Sequence, residues 1–108
     1  MHHDESRFDK RLRVDFPVSV VDVDGEGVSR ARNLSPGGVQ LSPSGEAFAL
    51  GQRLELGLRL PGAGDAIWCA GTVVYLRADA VGVEFTRVPS RGLELLEEFI
   101  ASRRASGP

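Results

Sequence analysis

The strongest constraint on the fold is a change of period along the chain. Hydrophobic residues alternate at every second position in several short runs, then recur every third or fourth position near the C-terminus. Period two puts successive side chains on opposite faces of a strand, and the longer period makes a single apolar stripe on a helix. In Arg13 to Val23, Val14, Phe16, Val18 and Val20 alternate with Arg13, Asp15, Pro17 and Ser19, the pattern of a half-buried strand. The phase slips at Val20-Val21 and restarts at Val23, which predicts a β-bulge there. Pro17 cannot donate to a ladder and predicts an edge position.

Turn chemistry separates the remaining runs. Asp24-Gly25-Glu26-Gly27 supplies glycines for positive φ before a second strand, Val28 to Leu34. Ser35-Pro36-Gly37-Gly38 turns the chain into Val39-Gln40-Leu41. Ser42 to Gln52 holds the apolar patch Ala47-Phe48-Ala49-Leu50 and is either a short helical turn or a loop that plugs one end of a barrel. Leu54, Leu56, Leu58 and Leu60 share a strand face, ended by Pro61-Gly62-Ala63-Gly64-Asp65. Two further strands run from Ala66 to Tyr75, with Trp68, Ala70, Thr72 and Val74 on one face, and from Ala80 to Phe85. About six short strands at regular spacing indicate a small barrel or sandwich. After Pro89, Leu93, Leu96, Phe99 and Ile100 predict a helix from Ser90 to about Arg104. Ser90 is its expected N-cap, Glu94, Glu97 and Glu98 lie toward its start, and Arg103 and Arg104 lie at its end. The helix is expected to cross the barrel or to pair with a partner.

Composition narrows the function classes. A chain of 108 residues, 42% hydrophobic and 26% charged, is one ordinary globular domain. With 13 Lys+Arg against 15 Asp+Glu and 6% aromatics, it lacks the basic surface and the stacking platforms of a nucleic-acid binder. Cys69 is the single cysteine, which excludes an internal disulfide and a thiolate zinc site; mid-strand, it reads as a small buried hydrophobe. The start of the sequence is polar and no long apolar run follows, so a cytoplasmic protein without membrane insertion is expected. The histidines are the adjacent His2 and His3, with nothing to orient them, and no HExxH, GxxxxGK or GxSxG pattern occurs. The expectation is therefore a protein that is not an enzyme and has no metal.

Two segments stand out from this background. Ser6 to Arg13 places Arg7, Lys10, Arg11 and Arg13 close together on an otherwise acidic chain. Arginine's planar fork suits phosphate oxygens and the Hoogsteen edge of a purine. Asn33-Leu34-Ser35-Pro36-Gly37-Gly38 sets Asn33 and Ser35 two apart at a strand end, so on an extended chain they face the same way, beside glycines that allow close approach.

In this order, RxxxR (Arg7 to Arg11) and then NxSxxG (Asn33, Ser35, Gly38), with further strands and a C-terminal helix, the chain resembles the PilZ domain family over about residues 6 to 102. Phe16-Pro17-Val18, Gly71-Thr72-Val73-Val74 and Gly82-Val83-Glu84-Phe85 add to the likeness. The resemblance implies a mainly β fold, a six-stranded antiparallel barrel with a C-terminal α-helix. It implies a flexible segment 1–12 carrying RxxxR, a barrel and helix over 13–104, and a frayed tail at 105–108. It further implies a receptor for the second messenger cyclic di-GMP, which is a ligand rather than a cofactor. Carried over, Arg7 and Arg11 would contact phosphates and guanine Hoogsteen edges. Asn33 and Ser35 would hydrogen-bond a guanine and neighbouring groups, and Gly38 would leave room for the base. Lys10, Arg13 and Gly37 are additional candidates. Ser6 stands where many relatives carry a base, Leu12-Arg13 replaces a common Val-Pro step, and Asn33 offers one acceptor oxygen where aspartate offers two. As a stand-alone receiver the protein would act as an adaptor, a monomer or weak homodimer that passes the signal to an effector protein. The alternative is an interaction module that binds no nucleotide. Trp68 would report binding if it lies near the ligand surface.

Overall fold

The computed structural model describes residues 11–43, 45 and 47–105. Six strands, β1 (Leu12–Asp22), β2 (Gly25–Ser35), β3 (Gly38–Ser42), β4 (Arg53–Leu58), β5 (Ile67–Leu76) and β6 (Val81–Arg87), precede one helix, α1 (Ser90–Ala105). The strands form a closed barrel in the order β1-β2-β3-β6-β5-β4, with every neighbouring pair antiparallel. Of the two architectures the sequence left open, barrel and sandwich, it is the barrel. Leu12, expected in the leading segment, already belongs to β1.

The alternation fills the interior. Phe16, Val18 and Val20 from β1, Leu54, Leu56 and Leu58 from β4, and Cys69 and Val73 from β5 are all buried in one cluster. Leu60 joins them just past the end of β4. A buried leucine contributes about 2 kcal/mol through the water it no longer orders, so this inward set is what holds register. The helix closes the barrel rather than waiting for a partner. Leu96 and Ile100 are buried in the same cluster, and the Phe99 ring meets Phe16 edge to face at 6.3 Å. Gly92 lets the helix sit close, since a Cβ there would lie 2.8 Å from Ile67 Cγ2.

Several local expectations are corrected. The bulge in β1 is not at Val20-Val21, where pairing with β2 runs unbroken to Asp22; it lies between Arg13 and Phe16, where two residues oppose Arg32 alone. The valine doublet misleads because Val21 and Val23 are no part of the core; Val23 is fully exposed on the hairpin turn. Pro17 is not on an edge, because the barrel has none: β1 pairs with β2 on one side and β4 on the other. Its carbonyl accepts from the Arg59 N–H at 3.4 Å, one step past the last β1–β4 pair at Val18 and Leu58. A residue's N and C=O point the same way in a strand, so the missing donor faces the place where that ladder ends. Pro89, whose carbonyl takes the Leu93 N–H at 2.9 Å, caps α1, which makes Ser90 the first helical residue. No acid falls in the first turn; the arginines of the last turn are Arg103 and Arg104 as expected.

Residues 47–52, just before β4, form a loop. Gly51 N–H donates to the Val73 carbonyl at 2.8 Å, Val73 N–H donates to Gln52 O at 2.9 Å, and Phe48 packs against the core. The Asp22 carboxylate ties this loop to the first hairpin, accepting from Asp24 N at 2.8 Å and from Gln52 Nε2 at 2.7 Å.

Candidate functional site

A row of paired residues crosses four strands on the outside of the barrel. Asn33 of β2 pairs with Gln40 of β3, Gln40 pairs with Gly82 of β6, and Gly82 pairs with Tyr75 of β5. Two bulges put side chains there that plain alternation would not. In β2 the register shifts between Ala31 and Asn33, so Asn33 turns toward Gln40 while Ala31 and Leu34 stay inside. In β5 it shifts between Val73 and Tyr75, so Tyr75 leaves the inward phase of Cys69 and Val73 for the outer face.

Gly82 is what lets the row join up. A Cβ on it would stand 2.1 Å from Tyr75 Cε2, which means that the phenol ring lies across β6 in the space a side chain would occupy. The ring thereby reaches β3. Gln40 Nε2 donates to the Tyr75 hydroxyl at 2.8 Å, and Asn33 Nδ2 donates to Gln40 Oε1 at 2.6 Å, all three residues being half-buried. The Arg77 guanidinium stacks 4.7 Å from the centre of the Tyr75 ring.

Around this row lies an open concavity of about 140 Å³, lined by Arg11, Asn33, Ser35, Gly37, Gly38, Gln40, Tyr75, Gly82 and Glu84 with apolar neighbours. Of the residues the sequence pointed to, Arg11, Asn33, Ser35, Gly37 and Gly38 meet here, although Arg11 and Gly38 are far apart in the chain. Arg7 and Lys10 lie outside the described residues. Arg13 sits apart, in a different recess with Asp15, Phe16, Phe99 and Arg103. Trp68 is not among the lining residues either; its indole covers Gly57 on β4.

The turn residues have structural duties of their own. Ser35 Oγ accepts from Gly37 N–H at 3.3 Å and donates to the Gly38 carbonyl at 3.4 Å, which shapes the two-residue link between β2 and β3. Gly37 O accepts from Phe85 N–H at 2.9 Å. A Cβ on Gly38 would meet the Val83 carbonyl oxygen at 2.4 Å, so close approach of β3 to β6 already requires glycine. Gln40, Tyr75, Gly82 and Glu84 were not among the expected site residues, because their convergence depends on register across strands. Only Gly82, a glycine inside a strand pattern, carried a local signal of close approach.

Charges at the lining come from Arg11 and Glu84. Elsewhere, Asp15 Oδ1 accepts from Arg30 Nε at 2.6 Å and pairs with Arg32 at 3.4 Å, and the Arg30 hydrogen bond is the main cause that holds its pKa below the usual carboxylate value. Burial pushes the Cys69 thiol up to about 12, with Glu55 adding to the effect. Cys69 is buried in the core, as the sequence indicated. Among the described residues, no cluster of three or more His, Cys, Asp or Glu could hold a metal, and no helix is long and apolar enough to cross a membrane.

The PilZ domain model matches residues 5–102. The chain belongs to the PilZ domain family. That family comprises receptors for cyclic di-GMP. No curated protein is significantly similar to the chain in sequence. Solved structures share its fold: the Bacillus subtilis inhibitor of motility MotI/DgrA at a TM-score of 0.78 and 20% identity, over 88% of this chain and 49% of that one. The PilZ domain of CeSA from a cellulose-synthesizing bacterium gives 0.68 and 14% over 87% of this chain and 97% of that one. The Borreliella burgdorferi PlzA protein in complex with c-di-GMP gives 0.65 and 15% over 83% and 39%. The chain thus spans about half the length of MotI/DgrA and less of PlzA.

Proposed function

We propose that this PilZ domain binds cyclic di-GMP on the outer face of β2, β3 and β6 and passes the bound state to a partner protein. The observation that carries the reading is that Arg11 of the RxxxR segment and Asn33, Ser35 and Gly38 of the NxSxxG segment line one concavity. The c-di-GMP complex of PlzA, which shares the fold, supports it.

The concavity also bears on how the ligand would be held. At about 140 Å³ it takes roughly one base, well short of the ~300 Å³ and more of an enclosing ligand pocket. The remainder of a dinucleotide would have to be covered from elsewhere. The charges of Arg11 and Glu84 offset one another at the lining, so a ligand with two phosphates requires more cations, and Arg7 and Lys10 precede Arg11 in the sequence. Each charge-assisted contact of about 1.5–3 kcal/mol works against about 1–2 kcal/mol for every residue it orders. The balance favours micromolar-scale affinity and a surface that differs between free and bound protein, which is what an effector would read.

Isothermal titration with cyclic di-GMP, with GTP and cyclic GMP as controls, tests the reading. Saturable and selective binding is expected, weakened about tenfold to a hundredfold in Arg7→Ala and in Arg11→Ala. Wild-type affinity in both variants overturns the site. Absence of binding by the parent protein overturns the function and leaves a nucleotide-independent interaction module.

A further inference from the structure

We infer that Gln40 is a positioning residue: it fixes which end of the Asn33 carboxamide meets the ligand, and thereby selects a guanine that carries its exocyclic amine. The inference rests on the cyclic di-GMP reading above and deepens it.

A carboxamide has a donor end and an acceptor end of nearly equal shape, so its neighbours decide which one faces outward. Asn33 Nδ2 donates to Gln40 Oε1 at 2.6 Å, and Gln40 Nε2 donates onward to the Tyr75 hydroxyl at 2.8 Å. With its amine held in this way, Asn33 presents Oδ1, an acceptor, to the concavity. An acceptor suits the ring N–H and the exocyclic amine of guanine and repels a base that offers a lone pair there. Gln40 is itself held, because the Tyr75 ring is fixed in the space above Gly82 and beneath Arg77. Half-burial of all three side chains limits competition from water. The reversed chain, with Tyr75 donating to Gln40 and Asn33 turning its amine outward, would make the opposite choice of base edge.

The test is the ratio of affinities for cyclic di-GMP and cyclic di-IMP, the analogue that lacks only the exocyclic amine, measured by titration on variants whose melting curves show that they fold. Wild type should prefer cyclic di-GMP about five- to tenfold, the worth of one neutral hydrogen bond. In Gln40→Leu the ratio should fall to about one, through loss of cyclic di-GMP affinity and not gain for the analogue. Gln40→Glu should keep the ratio. Its carboxylate still accepts from Asn33 Nδ2, while the Tyr75 hydroxyl turns to donate to the other oxygen, and the added charge weakens both ligands alike. A wild-type ratio in Gln40→Leu, a ratio lost equally in Gln40→Glu, or a wild type indifferent to the amine overturns the inference and leaves the receptor reading standing. A wild type that binds neither nucleotide removes both together.

Discussion

Gly82→Ala probes the row at its narrowest point. The added Cβ would lie 2.1 Å from Tyr75 Cε2 and 2.4 Å from Cδ2 and Cζ, so the ring must move by more than 1 Å to reach the ~3.5 Å of ordinary carbon contact. Such overpacking costs about 1–3 kcal/mol. Against it stands the gain of about 0.5–1 kcal/mol from replacing a strand glycine by alanine. The single variant should therefore lose about 1–2 kcal/mol net, close to 4–8 °C in melting temperature for a domain near this size. In a Tyr75→Ala background the ring is gone and the sign reverses: Gly82→Ala should become neutral or stabilise by up to about 1 kcal/mol. A double-mutant cycle from urea unfolding, followed by the fluorescence of Trp68, should give a coupling of about 2 kcal/mol between positions 75 and 82. Equal destabilisation by Gly82→Ala in both backgrounds would refute the argument that the phenol ring is what requires glycine.

Two further predictions use titrations away from the site. The lowered pKa of Asp15 means that its pairing with Arg30 and Arg32 adds stability above the ordinary value of 3.8, and that this is lost as pH falls through the lower folded-state value. Asp15→Asn should accordingly be slightly less stable than the parent at pH 7 in low salt and equal to it near pH 2; a difference that persists in acid contradicts the pairing. For Cys69 the raised pKa acts at the other end of the scale: stability is unaffected below the ordinary 9.0 and declines as pH rises from there toward about 12. Melting temperatures between pH 8 and 10.5 should fall more steeply for the parent than for Cys69→Val. A thiol reagent at pH 8 should react at the rate of unfolding, and immediate reaction of the native protein would show that Cys69 is accessible.

Much of the fold was legible because burial in a barrel follows the two-residue period directly. The four leucines at 54, 56, 58 and 60 are all buried, and the period change after Pro89 marks the helix. The errors lie where local chemistry has two solutions. A proline signals a missing ladder bond, and a sheet edge is only one place to lose it; in β1 the ladder to β4 simply stops beside Pro17. A valine doublet signals a broken phase, and at Val20-Val21 the second valine is merely left out of the core. The motif residues of the site were visible as motifs, since each sits in a short contiguous segment. Gln40, Tyr75 and Gly82 were not, because nothing local distinguishes Gln40 from any outward strand residue, and the Tyr75 orientation depends on the extra residue at the β5 bulge.

On the proposed cyclic di-GMP reading, this division between contiguous motif and cross-strand row separates affinity from selectivity. Arginines act on phosphates through charge, and their contribution weakens as salt screens it. The Asn33–Gln40–Tyr75 chain acts through neutral hydrogen bonds between half-buried groups, over distances far shorter than the ~10 Å screening length in 0.1 M salt. Raising ionic strength should therefore weaken cyclic di-GMP and cyclic di-IMP in parallel and leave their ratio unchanged. Arg11→Ala should flatten that salt dependence without altering the ratio, and Gln40→Leu should abolish the ratio without altering the salt dependence. A ratio that follows salt would mean that the base is read by the arginines, and the row across the barrel would then be only a brace for the sheet.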